Sequence, residues 1–187
     1  MKTATCIVGL VNKGIVYMGG DSAGVSGYDI TTRVDTKVFI KETGSEKMLI
    51  GYTSSFRMGQ LLRFSFLAPK RPTGMDVYEY MATDFINYVR HSFKEGGFAA
   101  NKEGVESGGT FLVGYCGRLF TIHNDYQVGE NVYGYDACGC GKDYAMSSLY
   151  STNGLIKNPE KRLKIALSSA EEFSGGVKGP FNIRVLK

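Results

Sequence analysis

Histidine is scarce in this chain, and tryptophan is absent. The two histidines, His91 and His123, lie far apart in the sequence and give little support for a metal site or a Ser-His-Asp triad. A closed zinc site is also disfavoured, because no C-x-x-C pair occurs. The four cysteines are Cys6, Cys116, Cys138 and Cys140. We therefore expect reduced, mostly buried thiols, no metal and no cofactor.

Long hydrophobic runs and blocks of like charge are missing as well. No stretch reaches the roughly 18 apolar residues of a membrane span, and the opening MKTATC lacks the apolar core of a secretion signal. The formal net charge is only +4, and lysine and arginine are scattered rather than gathered in a stripe. We therefore expect a cytoplasmic protein that binds neither nucleic acid nor membranes.

What is present is the composition of one ordinary globular domain. The 187 residues are 43% hydrophobic and 21% charged, and they contain no repeat or low-complexity tract. Such a chain can bury one substantial core, whereas two separate domains would each be small. We expect a single domain over residues 1–187.

Apolar periodicity and turn residues predict strands, two helices, strands, two helices and a final strand. The predicted strands are 5–11, 15–18, 38–40, 48–52, 109–113, 118–122, 132–137 and 181–185, and the predicted helices begin near Ser54 or Ser55, Thr73, Lys142 and Pro159. The Gly-rich segment 93–109 is expected to be a mobile loop. This order favours an α+β protein in which two mostly antiparallel sheets stack and helices flank them, an αββα sandwich.

One glycine-rich segment superficially suggests a phosphate-binding loop. Gly139-Cys140-Gly141-Lys142 would need glycine in place of Asp136 and serine or threonine in place of Asp143. We therefore reject that interpretation, and the nucleophile elbow G-x-S-x-G does not occur either.

The strongest candidates for chemistry are Thr5, Asp21 and Lys37. The stretch TCIVGLVNKGIVYMGGDSAG, followed by VDTKVFI, resembles the start of proteasome β subunits and of the bacterial peptidase HslV, which are N-terminal nucleophile (Ntn) threonine hydrolases. In an ungapped alignment, Thr5 falls on the nucleophile, Asp21 on the aspartate after the second strand and Lys37 on the lysine that opens the third. The resemblance implies the four-layer Ntn-hydrolase fold and a threonine-type endopeptidase.

Four further residues receive supporting roles from the same resemblance. Ser54 stands at a turn where the family has glycines and a backbone amide that stabilises the oxyanion. Cys140 replaces the serine that lies near the threonine's amine, and a thiol is the weaker hydrogen-bond partner. In AEEFSGG, Glu171 and Ser174 take the places of the family's acidic residue and serine, although an exposed helix end is an equally good interpretation.

The implied chemistry requires a free amine on the nucleophile. A threonine hydroxyl needs a base within reach, and a neutral N-terminal amine can serve. A Lys37 ammonium would lower the pKa of the hydroxyl, and Asp21 would keep Lys37 charged and oriented. Residues 1–4 would then be a leader removed by self-cleavage between Ala4 and Thr5.

Two other interpretations stay open at this point. The chain could be a catalytically silent, ring-forming scaffold that keeps its leader, or Cys6 could be the N-terminal nucleophile after removal of residues 1–5. The resemblance also implies a homo-oligomeric ring that encloses its active sites and takes an unfolded polypeptide or peptide as substrate. It allows a separate ATPase unfoldase as partner.

Overall fold

The computed structural model describes residues 4–44, 46–102 and 104–187, so residues 1–3 of the expected leader lie outside the described residues. The strands are β1 (Cys6–Asn12), β2 (Ile15–Gly20), β3 (Ala23–Ser26), β4 (Asp29–Thr32), β5 (Val38–Thr43), β6 (Glu46–Tyr52), β7 (Ala100–Lys102), β8 (Val105–Ser107), β9 (Phe111–Tyr115), β10 (Arg118–Ile122), β11 (Val128–Glu130), β12 (Tyr135–Gly139) and β13 (Asn182–Leu186).

The helices are α1 (Phe56–Gln60), α2 (Val77–Tyr80), α3 (Ile86–Glu95), α4 (Lys142–Ser151) and α5 (Pro159–Phe173). A π-helical turn, Leu61–Ser65, continues α1, and a second one, Met81–Phe85, joins α2 to α3. Of the two predicted caps of the first helix, Ser54 and Ser55, it is Ser55 that caps α1. Its side chain accepts a hydrogen bond from the backbone N–H of Arg57. Within the part of the chain described, no helix is long and apolar enough to cross a membrane.

Two antiparallel sheets form the centre of the structure. The first sheet has the strand order β12-β1-β2-β13 and the second has the order β11-β10-β9-β6-β5, while β3-β4 and β7-β8 are short separate ribbons. In the β1-β2 pairing, Ile7 lies opposite Gly20, so the start of β1 is next to the end of β2. This register places Thr5, which precedes β1, beside Asp21, which follows β2, at one end of these two central strands.

Successive residues of β1 face different apolar layers, because side chains alternate along a strand. Ile7 packs between the two sheets with residues such as Leu112, whereas Val8 packs against α4 and α5 with residues such as Leu167. The second sheet covers its other face with α1–α3, where Phe85 and Phe93 are fully buried. The layer order helix, sheet, sheet, helix confirms the predicted αββα sandwich.

The strand predicted at 132–137 is present but begins three residues later than expected, at Tyr135. Strand β11 ends before this segment and β12 begins within it, because a turn separates them. The side chain of Asn131 accepts from the backbone N–H of Tyr133, and Gly134 has φ 68°, which glycine adopts without strain. Val132 and Tyr133 are therefore exposed apolar residues of a turn rather than members of a strand.

Two other bounds also differ from the sequence prediction. The helix expected near Thr73 begins at Val77, because the carboxylate of Asp76 caps it by accepting from the N–H groups of Tyr78 and Glu79. The segment predicted as a loop, 93–109, contains the end of α3 and the β7-β8 ribbon.

The two sheets approach closely at Gly51 of β6, where a side chain would not fit without displacing its neighbours. A Cβ atom added at Gly51 would lie 2.5 Å from Met18 Sδ and 2.6 Å from Ile7 Cγ2. We expect Gly51→Ala to lower the free energy of unfolding by about 1–3 kcal/mol through overpacking, measured by urea denaturation. The control is Gly175→Ala, since a Cβ there meets no atom within 4 Å. Equal stability of the two variants would contradict this account of the sheet spacing.

Candidate active site

The three principal candidates lie at the ends of strands. Thr5 directly precedes β1, Asp21 directly follows β2, and Lys37 directly precedes β5. Strands β1 and β2 belong to the first sheet and β5 belongs to the second, so Lys37 reaches the other two from the facing sheet. All three residues are buried, with Thr5 5% exposed.

Lys37 connects the threonine to the aspartate. Its Nζ lies 2.8 Å from Thr5 Oγ1 and 3.0 and 3.1 Å from the two carboxylate oxygens of Asp21. The same carboxylate accepts from the backbone N–H groups of Cys6 at 3.0 Å and Ala23 at 2.9 Å. Asp21 is thus held from three directions, and it fixes the ammonium of Lys37 beside the Thr5 hydroxyl.

Burial governs the protonation of Lys37. Its side chain is almost inaccessible, and this desolvation lowers the pKa of Lys37 below its ordinary value of 10.5, while Asp21 opposes the shift through its charge and its hydrogen bond. The net lowered pKa means that Lys37 releases its proton more readily than a lysine in water. It can therefore exchange a proton with the neighbouring hydroxyl.

The Thr5 hydroxyl also contacts the bond that precedes it. It donates a hydrogen bond to the carbonyl oxygen of Ala4. The backbone N–H of Thr5 donates to Cys140 Sγ at 3.3 Å. The hydroxyl is thus placed against the carbonyl of the Ala4–Thr5 peptide, and the nitrogen of that peptide is held by a separate residue.

Two of the four supporting candidates, Cys140 and Ser174, are connected by hydrogen bonds to the backbone of Thr5. Cys140 lies in the bend between β12 and α4, where its thiol is 3.4 Å from the carbonyl oxygen of Thr5. Ser174, the residue that follows α5, donates from Oγ to Cys140 Sγ at 3.3 Å. Glu171 lies apart from them, because its exposed carboxylate accepts from the backbone N–H of Gly179 at 2.7 Å and so fastens the segment after α5.

Ser54 lines a cavity next to Thr5. It has φ 61°, in the left-handed region, and its Oγ accepts from the backbone N–H of Thr110 at 3.0 Å. The cavity has a volume of about 220 Å³, and Thr5 and Lys37 line it as well. The serine side chain is therefore engaged by Thr110, while the Ser54 turn remains beside Thr5.

The apolar walls of this cavity were not predicted from the sequence. They include the apolar side chains of Val25, Tyr52 and Phe56. The guanidinium of Arg33 lies 3.9 Å from the centre of the Phe56 ring and pairs with Asp35. The position of Tyr52 at the end of a predicted strand was a signal for it, whereas the β3-β4 ribbon that carries Val25 was not predicted.

The environment of Cys6 argues against its use as a nucleophile. Its side chain is fully buried and packs with the layer of α4 and α5, where Ala145 and Ala170 are neighbours in the same cluster. Burial is the main cause that raises the pKa of the Cys6 thiol, and the charge of Asp21 adds to it. A thiol of this kind is rarely ionised, and the thiolate is the reactive form.

Comparison with known proteins gives matches in structure rather than in sequence. No protein-family model matches the chain, and no curated protein does. Among solved structures, Thiobacillus denitrificans BPH is 17% identical, with a TM-score of 0.78 and coverage of 97% of each chain. The same protein in complex with epoxomicin gives a TM-score of 0.75 at 17% identity, covering 97% of this chain and 98% of that one.

Two further solved structures are also similar to this chain over most of its length. Eukaryotic HslV from Trypanosoma brucei is 15% identical, with a TM-score of 0.67 over 97% of this chain and 99% of that one. The Anbu complex from Pseudomonas aeruginosa, solved as a helical assembly, is 18% identical, with a TM-score of 0.63 over 97% and 80%. The chain has the proteasome-type Ntn-hydrolase fold. The fold predicted from the resemblance is thereby confirmed.

In this Ntn-hydrolase fold, removal of the Asp21 charge should be costly. We expect Asp21→Asn to lower the free energy of unfolding by about 3–5 kcal/mol, because the buried Lys37 ammonium loses its partner. Adding Lys37→Met should recover much of the loss, since no unpaired charge then remains. Urea denaturation of chains that also carry Thr5→Ala provides the measurement.

The matched control for this experiment is a carboxylate in an exposed ion pair. Asp35 pairs with Arg33 at 2.8 Å, and both side chains are more than one-third exposed. Asp35→Asn should therefore cost no more than about 1 kcal/mol. Similar losses for the two aspartate variants would show that the Asp21–Lys37 pair has no special role in stability.

Proposed function

We propose that this protein is a threonine endopeptidase of the proteasome β/HslV type, in which Thr5 is the nucleophile after cleavage of the Ala4–Thr5 bond. One observation carries the proposal: the buried Lys37 contacts both the Thr5 hydroxyl and Asp21, while that hydroxyl lies against the Ala4 carbonyl. A hydroxyl, a group that can exchange its proton and a reacting carbonyl are thereby adjacent.

The first reaction is self-cleavage. Thr5 Oγ1 attacks the carbonyl carbon of Ala4 and forms a C–O bond, and the C–N bond of the Ala4–Thr5 peptide then breaks. The hydroxyl proton passes through Lys37 to the departing nitrogen, which becomes the amine of Thr5. Water hydrolyses the resulting ester, which restores the hydroxyl and releases a leader that ends in the Ala4 carboxylate.

In the mature site, the new amine takes over as the base. It would accept the Thr5 proton while the hydroxyl attacks a substrate carbonyl, and backbone N–H groups of the Ser54 turn would stabilise the oxyanion. The substrate chain would enter the cavity lined by Val25, Tyr52 and Phe56. BPH binds epoxomicin, so this compound is a suitable first ligand for the cavity.

Several features of the proposal come from the resemblance and from the neighbours. The helical assembly of the Anbu complex supports self-association of this chain as well. The closed ring that we propose is the form that the resemblance to proteasome β subunits and HslV implies. An unfolded polypeptide substrate, a cytoplasmic location and a separate ATPase unfoldase stay predictions. The alternative, a silent scaffold, differs from the peptidase in one respect that can be measured, because it keeps Ala4 attached to Thr5.

The intact mass of the purified protein separates the two functions. We expect the wild-type chain to begin at Thr5, and Thr5→Ala to retain Ala4 and the residues before it, because the variant lacks the attacking hydroxyl. Peptidase activity on fluorogenic peptides should fall at least about a thousandfold in Thr5→Ala. Thr32→Ala, which changes an exposed threonine of β4, is the control and should match the wild type. A wild-type chain that keeps Ala4 in its assembled form would favour the scaffold.

The pH dependence of self-cleavage tests the role of Lys37. Before cleavage Thr5 has no free amine, so Lys37 is the group within reach that can accept the proton, and only its neutral form can do so. Because burial lowers the pKa of Lys37, the rate should rise with pH, with a midpoint below pH 10.5. Mass spectrometry after a jump from acidic pH would follow the reaction.

The control for this measurement is another lysine with a lowered pKa. Burial also lowers the pKa of Lys41, whose Nζ donates to the carbonyl oxygen of Arg63. Lys41→Met should leave the pH profile unchanged. A rate that falls as pH rises through this range would show instead that the charged ammonium of Lys37 assists the cleavage.

A further inference from the structure

Gly176 lies against the residue that precedes the nucleophile. A Cβ atom added at Gly176 would be 2.9 Å from both Cα and Cβ of Ala4 and 2.8 Å from Cys140 Sγ. Carbon atoms do not approach so closely without displacement, so a side chain at this position would compete for the space that Ala4 occupies. The bare backbone of Gly176 is what admits Ala4 here.

The segment that carries Gly176 has little freedom to retreat. On one side, Val177 is buried and its N–H donates to the carbonyl oxygen of Ser174 at 3.1 Å. On the other side, the backbone N–H of Ser22 donates to the carbonyl oxygen of Lys178 at 2.9 Å. The Oγ of Ser22 donates to the carbonyl oxygen of Pro180 at 2.6 Å. Ser22 directly follows Asp21, so this segment is fastened to the candidate active site itself.

The other neighbour of Gly176 is also fixed. Cys140 Sγ accepts from the backbone N–H of Thr5 and from Ser174 Oγ, each at 3.3 Å. Ala4 is therefore the group that would move if a side chain were added at Gly176. Its carbonyl is the group that accepts from the Thr5 hydroxyl, so the displacement would reach the reacting atoms directly.

We propose that Gly176 is a positioning residue for cleavage of the Ala4–Thr5 bond, and that it restricts the residue before Thr5 to a small side chain. Gly176 takes no part in the bond changes; it holds the Ala4 carbonyl against Thr5 Oγ1. The inference rests on the self-cleavage proposed above. It adds a size rule for position 4.

The first test is the rate of leader removal, followed by intact mass. Gly176→Ala should slow cleavage by between about 10-fold and 100-fold, as expected when a reacting group is displaced by a fraction of an ångström to one ångström. Ala4→Val in the otherwise unchanged chain should slow it as well. Gly175→Ala is the matched control, because a Cβ at this adjacent glycine meets nothing within 4 Å, and it should cleave at the wild-type rate.

A double-mutant cycle assigns the effect to the proposed contact. The slowing caused by Gly176→Ala should be smaller when the chain also carries Ala4→Gly, because the competing methyl group is gone. If Gly176→Ala slows cleavage equally with and without Ala4→Gly, the side chain at position 4 has no part in the effect and the proposed size rule is overturned. A wild-type rate in Gly176→Ala would overturn it too.

A second readout does not depend on activity. In chains that carry Thr5→Ala and cannot cleave, Gly176→Ala should lower the melting temperature by about 3 °C or more, with partial recovery by Ala4→Gly and no change in Gly175→Ala. If the wild-type chain never loses Ala4, the proposed function fails, and this measurement still decides whether Gly176 and Ala4 compete. Unchanged melting temperatures would then reject the inference.

Discussion

The carboxylate of Asp21 connects the parts of the chain on which the candidate site depends. It accepts from the backbone at the start of β1 through Cys6, from Ala23 beyond its own turn, and from Lys37 in the facing sheet. Because these contacts are buried, each is strengthened by the low local dielectric and each is costly to remove. One side chain therefore sets the position of β1 relative to β5 and places Thr5 where the two sheets meet.

Local sequence signals were sufficient to predict that two of these three residues, Thr5 and Asp21, lie side by side. Asn12-Lys13-Gly14 marks a tight turn, and the structure gives Lys13 and Gly14 positive φ angles of 52° and 75°. A hairpin fixed at this turn places the start of β1 beside the end of β2, so Thr5 and Asp21 had to be neighbours. The prediction of Lys37 depended on the resemblance as well. No local signal indicates that the start of β5, in the second sheet, lies over this end of the β1-β2 hairpin.

Other features depend on contacts between distant segments and could not be predicted in this way. Glu171 and Ser174 both lie at the C-terminal end of α5, but they make different contacts. The carboxylate of Glu171 accepts from the backbone N–H of Gly179, whereas the hydroxyl of Ser174 donates to Cys140. Which of them faces the site depends on where α5 ends and on how the following segment packs. The contact of Gly176 with Ala4 is of the same kind, because a glycine-rich sequence does not reveal which backbone it approaches.

The resemblance expects a serine where this chain has Cys140, and under the proposed function this difference has a physical consequence. Before cleavage, Thr5 offers an amide N–H, for which sulfur at 3.3 Å is an adequate acceptor. After cleavage the same nitrogen is an amine, and it is useful as a base only when neutral. Since sulfur is a weaker acceptor than a hydroxyl oxygen, it stabilises the ammonium form less and leaves more of the amine neutral. A thiol at this position is therefore compatible with a working base, although it orients the amine less firmly.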